Sequence, residues 1–561
     1  MKEEIATAIS DIATHLYGRN ITAGIKIELT RPDEQFGDYA TNMALQLAKP
    51  VGKSPREIAE TIASELRVQA AHHVRDVAVA GPGFINLTLT DGALERQAIR
   101  QPAQIFAGQT VVTEYSDPNP FKVLHAGHLY TSIVGHTISS LIELAGGTVH
   151  RVNFGGDVGL HVGRTMWAIL QELGGERPEK LAAIPENGRS EWMAQCYVTG
   201  TQAYEENEAA KNEIINLNKR VYQLFADNDH ISSFAQIYWT CRQWSYDYFN
   251  AFYERIGTPF ERYYPESETA PLGLSTVREQ LQKGVYKQSD GAVVFEGEPY
   301  GLHTRVFINS NGLPTYEAKD VGLSLHKWQD YHYDRSIIIT GNDIIEYMKV
   351  VLKSIEQFQP ELARRTVHLT HGNVKLAGGI KMSSRKGNFL RAMDVLEVAN
   401  VANTQANGAE DERAALGAVK YSFLKRHIGP DIIFDPKDSV SLEGNSGPYL
   451  QYAHARARSV LVKAGAAEGN ALLTDLQSGE RTLLRKLSEY SEILDRAVAE
   501  LMPHHVCTYL YELAQTFNRF YEQNLVVGDP REAVRVRLVR QYADTLKTGL
   551  TLLGIEAPDR M

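Results

Sequence analysis

The sequence predicts a multi-domain α/β protein: a parallel-sheet core, a small α+β unit before it and an all-helical domain after it. Three observations carry this expectation. The chain has 561 residues, room for about three or four domains at roughly 150 residues each. Its middle contains strand and helix signals in succession, and a strand–helix–strand unit defaults to a parallel sheet with right-handed crossovers. From about Gly447 nearly every stretch has helical periodicity, broken only near 464–470 and 528–530.

The elements follow in order. Residues 1–100 read as the small α+β unit. Ser54-Pro55-Arg56-Glu57 is a capping box with proline at the first helical position, opening the amphipathic REIAETIASEL. GPGFINLTLT alternates apolar and polar residues between turn formers and reads as a strand. Gln101 to Gln109 reads as a linker, and the central domain is assigned to 101–436. There VVTEYS is a short apolar strand ended by the breaker SDPNP. Leu129, Ile133, Val134, Ile138, Leu141 and Ala145 recur at helical spacing until Gly146-Gly147, and TVHRVNF returns as a strand. Residues of about 165–260 are polar-periodic and predict a helical insertion. GAVVFEG, RVFINSNGLPTY and SIIIT are further strand signals, and IIEYMKVVLKSIEQF is helical. Residues 437–561 form the helical domain. No internal repeat or low-complexity tract occurs.

Composition narrows the function classes. Hydrophobic residues make up 43% and charged residues 22%, ordinary for a globular chain and unlike a disordered one. A net charge of −10 excludes a small polybasic binder but not a large enzyme with local basic patches. Arg531, Arg535, Arg537 and Arg540 do not share one helical face, so they define no basic stripe. Three scattered cysteines (Cys196, Cys241, Cys507) give neither a disulfide framework nor a cysteine-based zinc site. No apolar run approaches the roughly 18 residues of a membrane span, and the acidic, amphipathic start is not a signal or transit peptide. The expectation is a cytoplasmic, soluble protein without membrane contact.

Two stretches carry chemistry. His125-Ala126-Gly127-His128 stands where a strand and a turn give way to a helix. A helix start presents free N–H groups and the positive end of the dipole, which suits phosphate. Chance from this composition supplies roughly 0.05 matches to H-x-G-H, so the motif has moderate weight against two ordinary surface histidines. The second stretch is Lys381-Met382-Ser383-Ser384-Arg385-Lys386-Gly387-Asn388, behind the glycine-rich LAGGI. Three cations, two hydroxyls and flanking glycines describe a loop able to wrap a triphosphate, although charge runs are commonly just solvated.

Together the two stretches resemble the HIGH and KMSKS signatures of class I aminoacyl-tRNA synthetases, and the details resemble the arginyl-tRNA synthetases. TEYSDPNPFKVLHAGHLYTS, GGDVGLHVG and HGNVKLAGGIKMSSRKGN are similar to that family's nucleotide-fold core. EGNSGPYLQYAHARARSVL, YELAQTFNRFYE and LLGIEAPDRM are similar to its anticodon-binding domain, and RPDEQFGDYATNMALQLAK and VAGPGFINLTL to its N-terminal tRNA-contacting module. The resemblance implies a Rossmann-type catalytic domain and ATP-dependent ligation of L-arginine to tRNA(Arg) through an arginyl-adenylate. It implies tRNA(Arg), L-arginine and ATP with Mg²⁺ as partners, no zinc or other protein-held metal, and a monomer.

Carried over residue by residue, the resemblance places the catalytic roles on His125, His128 and Lys381. ATP contacts fall on His125, Gly127, His128, Lys381, Met382, Ser383, Ser384 and Lys386. The arginine site falls on Glu114, Ser116, Asn119, Tyr316 and Asp320. A guanidinium is planar with five donors, so two carboxylates, Glu114 and Asp320, are its apt complement. Asn119 would hold the substrate carboxylate or ammonium. The family's glutamine for the α-amino group falls at or beside Asn342, a departure from the pattern. The resemblance further implies that arginine activation depends on bound tRNA, gripped at opposite ends by the N- and C-terminal modules. Rival readings are another class I synthetase, a small-molecule nucleotidyltransferase and a non-catalytic tRNA-binding paralogue. The last two need, respectively, neither flanking module nor intact histidines and Lys381.

Overall fold

The computed structural model describes residues 1–377, 390–408, 410–465 and 472–561. In the N-terminal unit, α1 (Lys2–Tyr17) and α2 (Pro55–Gln69) accompany an antiparallel sheet of β1 (Tyr39–Thr41), β2 (Val74–Ala80) and β3 (Phe84–Leu89), in the order β1-β3-β2. The capping box closes as its sequence dictates. The Glu57 N–H donates to Ser54 Oγ and the Ser54 N–H to Glu57 Oε2, each at 3.2 Å.

The core is a five-stranded, wholly parallel sheet of β4 (Thr110–Glu114), β5 (Thr148–Gly155), β6 (Arg262–Pro265), β10 (Arg335–Gly341) and β11 (Thr366–His371). The order β11-β10-β4-β5-β6 puts β4 at the centre. The chain leaves β4 toward β5 and β6, then returns to its other side with β10 and β11. A crevice therefore opens beyond the C-terminal ends of β4 and β10, the topological switch point where Rossmann-type sheets bind ligands. The sequence reading misses β6 and β11. Both are edge strands, needing one neighbour only, and their polar residues (RYYP, TVHLTH) carry no apolar run. SIIIT is β10 of this sheet, whereas GAVVFEG and RVFINSNGLPTY supply β8 (Ala292–Phe295) and β9 (Arg305–Ile308), which with β7 (Lys287–Ser289) form a separate antiparallel sheet.

Helix α3 (Ala126–Leu144) follows β4 and is buried along most of its length. Between β5 and β6, α4 (Leu160–Leu173), α5 (Arg189–Glu206), α6 (Glu208–Ala226) and α7 (Ser233–Arg255) enclose their own apolar core around Ile169, Met193, Leu224 and Phe234. Buried Asp157 ties this bundle to the sheet, accepting from Arg242 Nε at 2.9 Å and the Ser267 N–H at 2.8 Å. Helix α8 (Glu266–Gln282) crosses α9 (Tyr316–Tyr331) at Gly273, where a Cβ would lie 1.8 Å from the Ala318 carbonyl oxygen. Only glycine permits that approach, which seats α9 over the crevice. Helix α10 (Ile345–Glu356) follows β10.

Helices α11 (Ala392–Asn407) and α12 (Glu412–Leu424) lead to the C-terminal helices α13 (Gly447–Ala464), α14 (Ser478–Leu487), α15 (Tyr490–Glu500), α16 (His504–Gln523) and α17 (Glu532–Leu552). Two arginines of the tail that define no stripe are structural: Arg531 and Arg535 both close on the buried carboxylate of Glu480. The sequence reading sets the N- and C-terminal modules at opposite ends of a tRNA; in the structure they pack side by side. Arg481 reaches Asp38 at 2.7 Å, Arg31 reaches Glu492 at 2.6 Å, and Gln97 donates to Ser491 Oγ at 2.9 Å. Among the described residues no helix is long and apolar enough to cross a membrane.

Candidate active site

A cleft of about 780 Å³ opens at the switch point, bordered by the ends of β4 and β10, the turn after β4, the start of α3 and one face of α9. It brings together Glu114, Ser116, Asn119, His125, Gly127, His128, Tyr316 and Asp320. Asn342 is not brought in: its side chain turns away and donates to the Gly429 carbonyl at 2.8 Å, and Ile344 lines the cleft instead. Lys381, Met382, Ser383, Ser384 and Lys386 lie outside the described residues. The chain on either side of them comes to the cleft. Asn373 and Val374 line it, and beyond the gap the Ala126 N–H donates to the Leu390 carbonyl at 2.8 Å while the Ala392 N–H donates to the Leu124 carbonyl at 2.9 Å.

The histidines have one assignable tautomer. His125 is the N-cap of α3; its Nδ1 accepts from the Gly127 N–H, and His128 Nδ1 accepts from the His125 N–H, both at 3.1 Å. An imidazole nitrogen that accepts carries no proton, so each ring keeps its hydrogen on Nε2. Burial first, then Lys122, lowers His125 to about 4; burial and His125 hold His128 well below the usual value. At neutral pH both are neutral Nε2–H donors. The rings stack with centroids 3.7 Å apart, and Gly127 is what permits this, since a Cβ there would sit 2.8 Å from His125 Cε1.

The other end of the cleft is acidic. Glu114 forms a buried ion pair with Lys327, which also donates to Ser336 Oγ at 3.1 Å, and Glu266 is paired with Lys319. Lys327 keeps its charge: burial is the largest single influence and opposes it, but Glu114, Tyr333 and Asp320 together raise its pKa. Asp117 and Asp320 also line the cleft, with no cation within ion-pair distance among the described residues. Asp320 accepts from the Tyr347 hydroxyl. Burial, with repulsion from Glu114, pushes Asp320 up to about 8, and Asp117 is raised by burial and then by Glu114. The sequence reading misses Asp117, Tyr347, Glu266 and Lys327. Asp117 reads as part of a turn breaker, whereas Lys327 had a signal: seven residues from Asp320, it falls on the same face of α9. Ser116 lies deep, its Oγ 2.7 Å from the Tyr253 hydroxyl and 3.0 Å from Ser132 Oγ, so its hydroxyl is already engaged. Tyr316 stands at the rim, 55% exposed. His371, also not foreseen, lines the cleft beside the histidine pair and bonds Thr131 Oγ1 at 2.6 Å.

Comparison with known proteins agrees with this fold. Residues 92–435 match the family described as tRNA synthetases class I (R), catalytic domain. The chain belongs to the arginyl-tRNA synthetases. Residues 1–89 match the arginyl tRNA synthetase N terminal domain, and 450–561 the DALR anticodon binding domain. The arginine–tRNA ligase of Porphyromonas gingivalis is 30% identical over 97% of both chains, and that of Bacteroides fragilis 27% over the whole of both. Thermus thermophilus arginyl-tRNA synthetase superposes with a TM-score of 0.79 at 25% identity, covering both chains fully. Methionyl-tRNA synthetase of Mycobacterium tuberculosis shares the fold at 13% identity, with a TM-score of 0.51 over 80% of this chain and 92% of that one. The enzyme is an arginine–tRNA ligase, joining arginine to tRNA(Arg) in an ATP-dependent, class I reaction. Among the described residues no three His, Cys, Asp or Glu side chains are grouped to hold a metal ion.

Proposed function

We propose that this cleft is where arginine is adenylated, with the guanidinium at the acidic end and ATP at the histidine end. The observation that carries the reading is the charge balance: among the described residues Glu114 and Glu266 each have a lysine and Arg305 pairs with Glu317, which leaves Asp117 and Asp320 without a cation, and ionising either is favoured when a cation enters. Asp320 meets the guanidinium, and Glu114 stands beside it with its charge matched by Lys327. A smaller or neutral amino acid leaves these groups unpaired, which is itself strong discrimination.

The arginine carboxylate attacks the α-phosphorus of ATP, expelling pyrophosphate; the adenylate is then transferred to the terminal ribose of tRNA(Arg). No protein nucleophile is required. The neutral Nε2–H groups of His125 and His128 donate to the α-phosphate oxygens as charge develops, stabilising it without first losing a proton. Lys381 acts on the departing pyrophosphate, and Mg²⁺ enters with ATP as part of the substrate. Charging total tRNA with each of the twenty amino acids tests the assignment: arginine alone is expected, and comparable charging with another amino acid overturns it. In a separate assay with cognate tRNA present, Lys381→Ala is expected to lower arginine-dependent pyrophosphate exchange by about 10²–10³.

Arginine binding should also be coupled to a proton. Asp320 faces Glu114, Asp117, Glu266, Lys327 and the Tyr347 hydroxyl, and is protonated in the free enzyme below about 8. A docked guanidinium favours the ionised form and lowers that value, so binding releases a proton. The sign follows: affinity for arginine rises with pH up to about 8 and levels off above it. Between pH 6 and 8 the gain is at most about 100-fold, one decade per unit. Arginine KM measured against pH, with proton release from calorimetry in two buffers, checks this; a flat profile and no proton release contradict it.

A further inference from the structure

We propose that Asp117 receives the α-ammonium of arginine and is a second specificity-determining carboxylate of the arginine subsite; this rests on the cleft being the arginine site. Arginine brings a guanidinium, an ammonium and a carboxylate, and each needs a partner once buried. Five carboxylates line the cleft. Glu114 and Glu266 have their lysines, and Asp320 faces the guanidinium. Asp343 is exposed to solvent, on the 341–344 side of the cleft. Asp117 remains. Its Oδ1 accepts from the Phe154 N–H at 2.9 Å, and its other oxygen has no partner among the described residues.

The neighbouring amide decides which substrate group lies where. Asn119 Oδ1 accepts from the Gly156 N–H at 2.8 Å, which takes one of that oxygen's two lone pairs and leaves both N–H donors of the amide. Those donors suit the α-carboxylate, and the uncharged oxygen, already bonded once, is a weaker partner for an ammonium than the Asp117 carboxylate. The Ser116 hydroxyl is already engaged by Tyr253 and Ser132. Ammonium and carboxylate share one carbon, so their partners must be close neighbours. Asp117 and Asn119 are two residues apart, pinned to the N–H groups of residues 154 and 156, also two apart, at the end of β5. The turn is held in an unusual shape to do this: Ser116, Asp117 and Phe121 have φ of 77°, 49° and 67°, left-handed values that L side chains rarely adopt. Burial and Glu114 hold the Asp117 carboxyl above its usual range, and an arriving ammonium relieves that cost.

Substrate analogues separate the roles. Agmatine lacks the α-carboxylate and 5-guanidinopentanoic acid lacks the α-amine; both are measured as competitors of arginine in tRNA charging, alongside KM for arginine. Asp117→Asn is expected to weaken arginine and agmatine by about 10- to 100-fold, the loss of one charge-assisted bond, and to leave 5-guanidinopentanoic acid within about threefold. Asp320→Asn weakens all three. The proposal is overturned if Asp117→Asn leaves arginine within about threefold, or weakens the deamino analogue as much as arginine. If that variant does not fold, the unaltered enzyme answers alone: arginine must bind at least about tenfold more tightly than 5-guanidinopentanoic acid, and equal binding overturns the proposal. Should Asp320→Asn change none of the three ligands, it is the placement of the arginine site that fails.

Discussion

Asp320→Asn is expected to lower kcat/KM for arginine by about two to four decades while KM for ATP stays within about threefold. Asp320 sits on the cleft face of α9, four residues after Tyr316, and among the described residues only the Tyr347 hydroxyl bonds its carboxylate. An asparagine of nearly equal size keeps the packing but removes the charge opposite the guanidinium. Breaking one side of a buried charge pair costs about 3–5 kcal/mol, the source of that range. ATP is expected to be untouched because its proposed donors, His125 and His128, belong to the start of α3 and not to α9. Arginine-dependent pyrophosphate exchange with cognate tRNA measures the effect. A change below about threefold means that the guanidinium binds elsewhere.

Lys327→Met should act on stability as strongly as Asp320→Asn acts on catalysis. Lys327 is almost wholly buried and is the cation bonded to Glu114, with Asp117 and Asp320 within its field. Removing it strands a buried carboxylate among carboxylates, at a cost of about 3–5 kcal/mol. The double variant Glu114→Gln with Lys327→Met removes both charges and is expected to recover most of that loss, since replacing a whole buried pair is often nearly neutral. Urea unfolding of the three variants against the parent checks this. A single variant as stable as the parent, or a double variant no better than the single, shows that the pair does not carry the predicted cost.

Much of this was legible from the sequence because the signals were local. The Ser54 capping box, the βαβ unit around VVTEYS and TVHRVNF, and the helical insertion each depend on residues within a few positions of one another, where backbone propensity and hydrophobic period decide the outcome. HAGH was legible for the same reason, and the structure adds that its glycine makes room for the His125 ring. The edge strands β6 and β11 were not legible, because their pairing is supplied by β5 and β10 and their own residues are polar. Nor was the union of the N- and C-terminal modules, which rests on ion pairs such as Arg481–Asp38 between residues more than four hundred positions apart.

The sequence by itself determined the fold class, the two signature stretches and the acidic character of the segments that meet at the cleft, since residue type, spacing and periodicity settle those. Which carboxylates are free was decided only by the tertiary structure. Glu114 and Asp320 look alike as letters, yet Glu114 is spoken for by Lys327, 213 positions away, while Asp117, a turn residue by sequence, faces the cleft without a cation among the described residues. Asn342 likewise left the site once its amide found the Gly429 carbonyl. The physical reason is that a buried charge is defined by its neighbours: desolvation raises the cost of every unpaired carboxylate, and only the folded chain says which ones are paired.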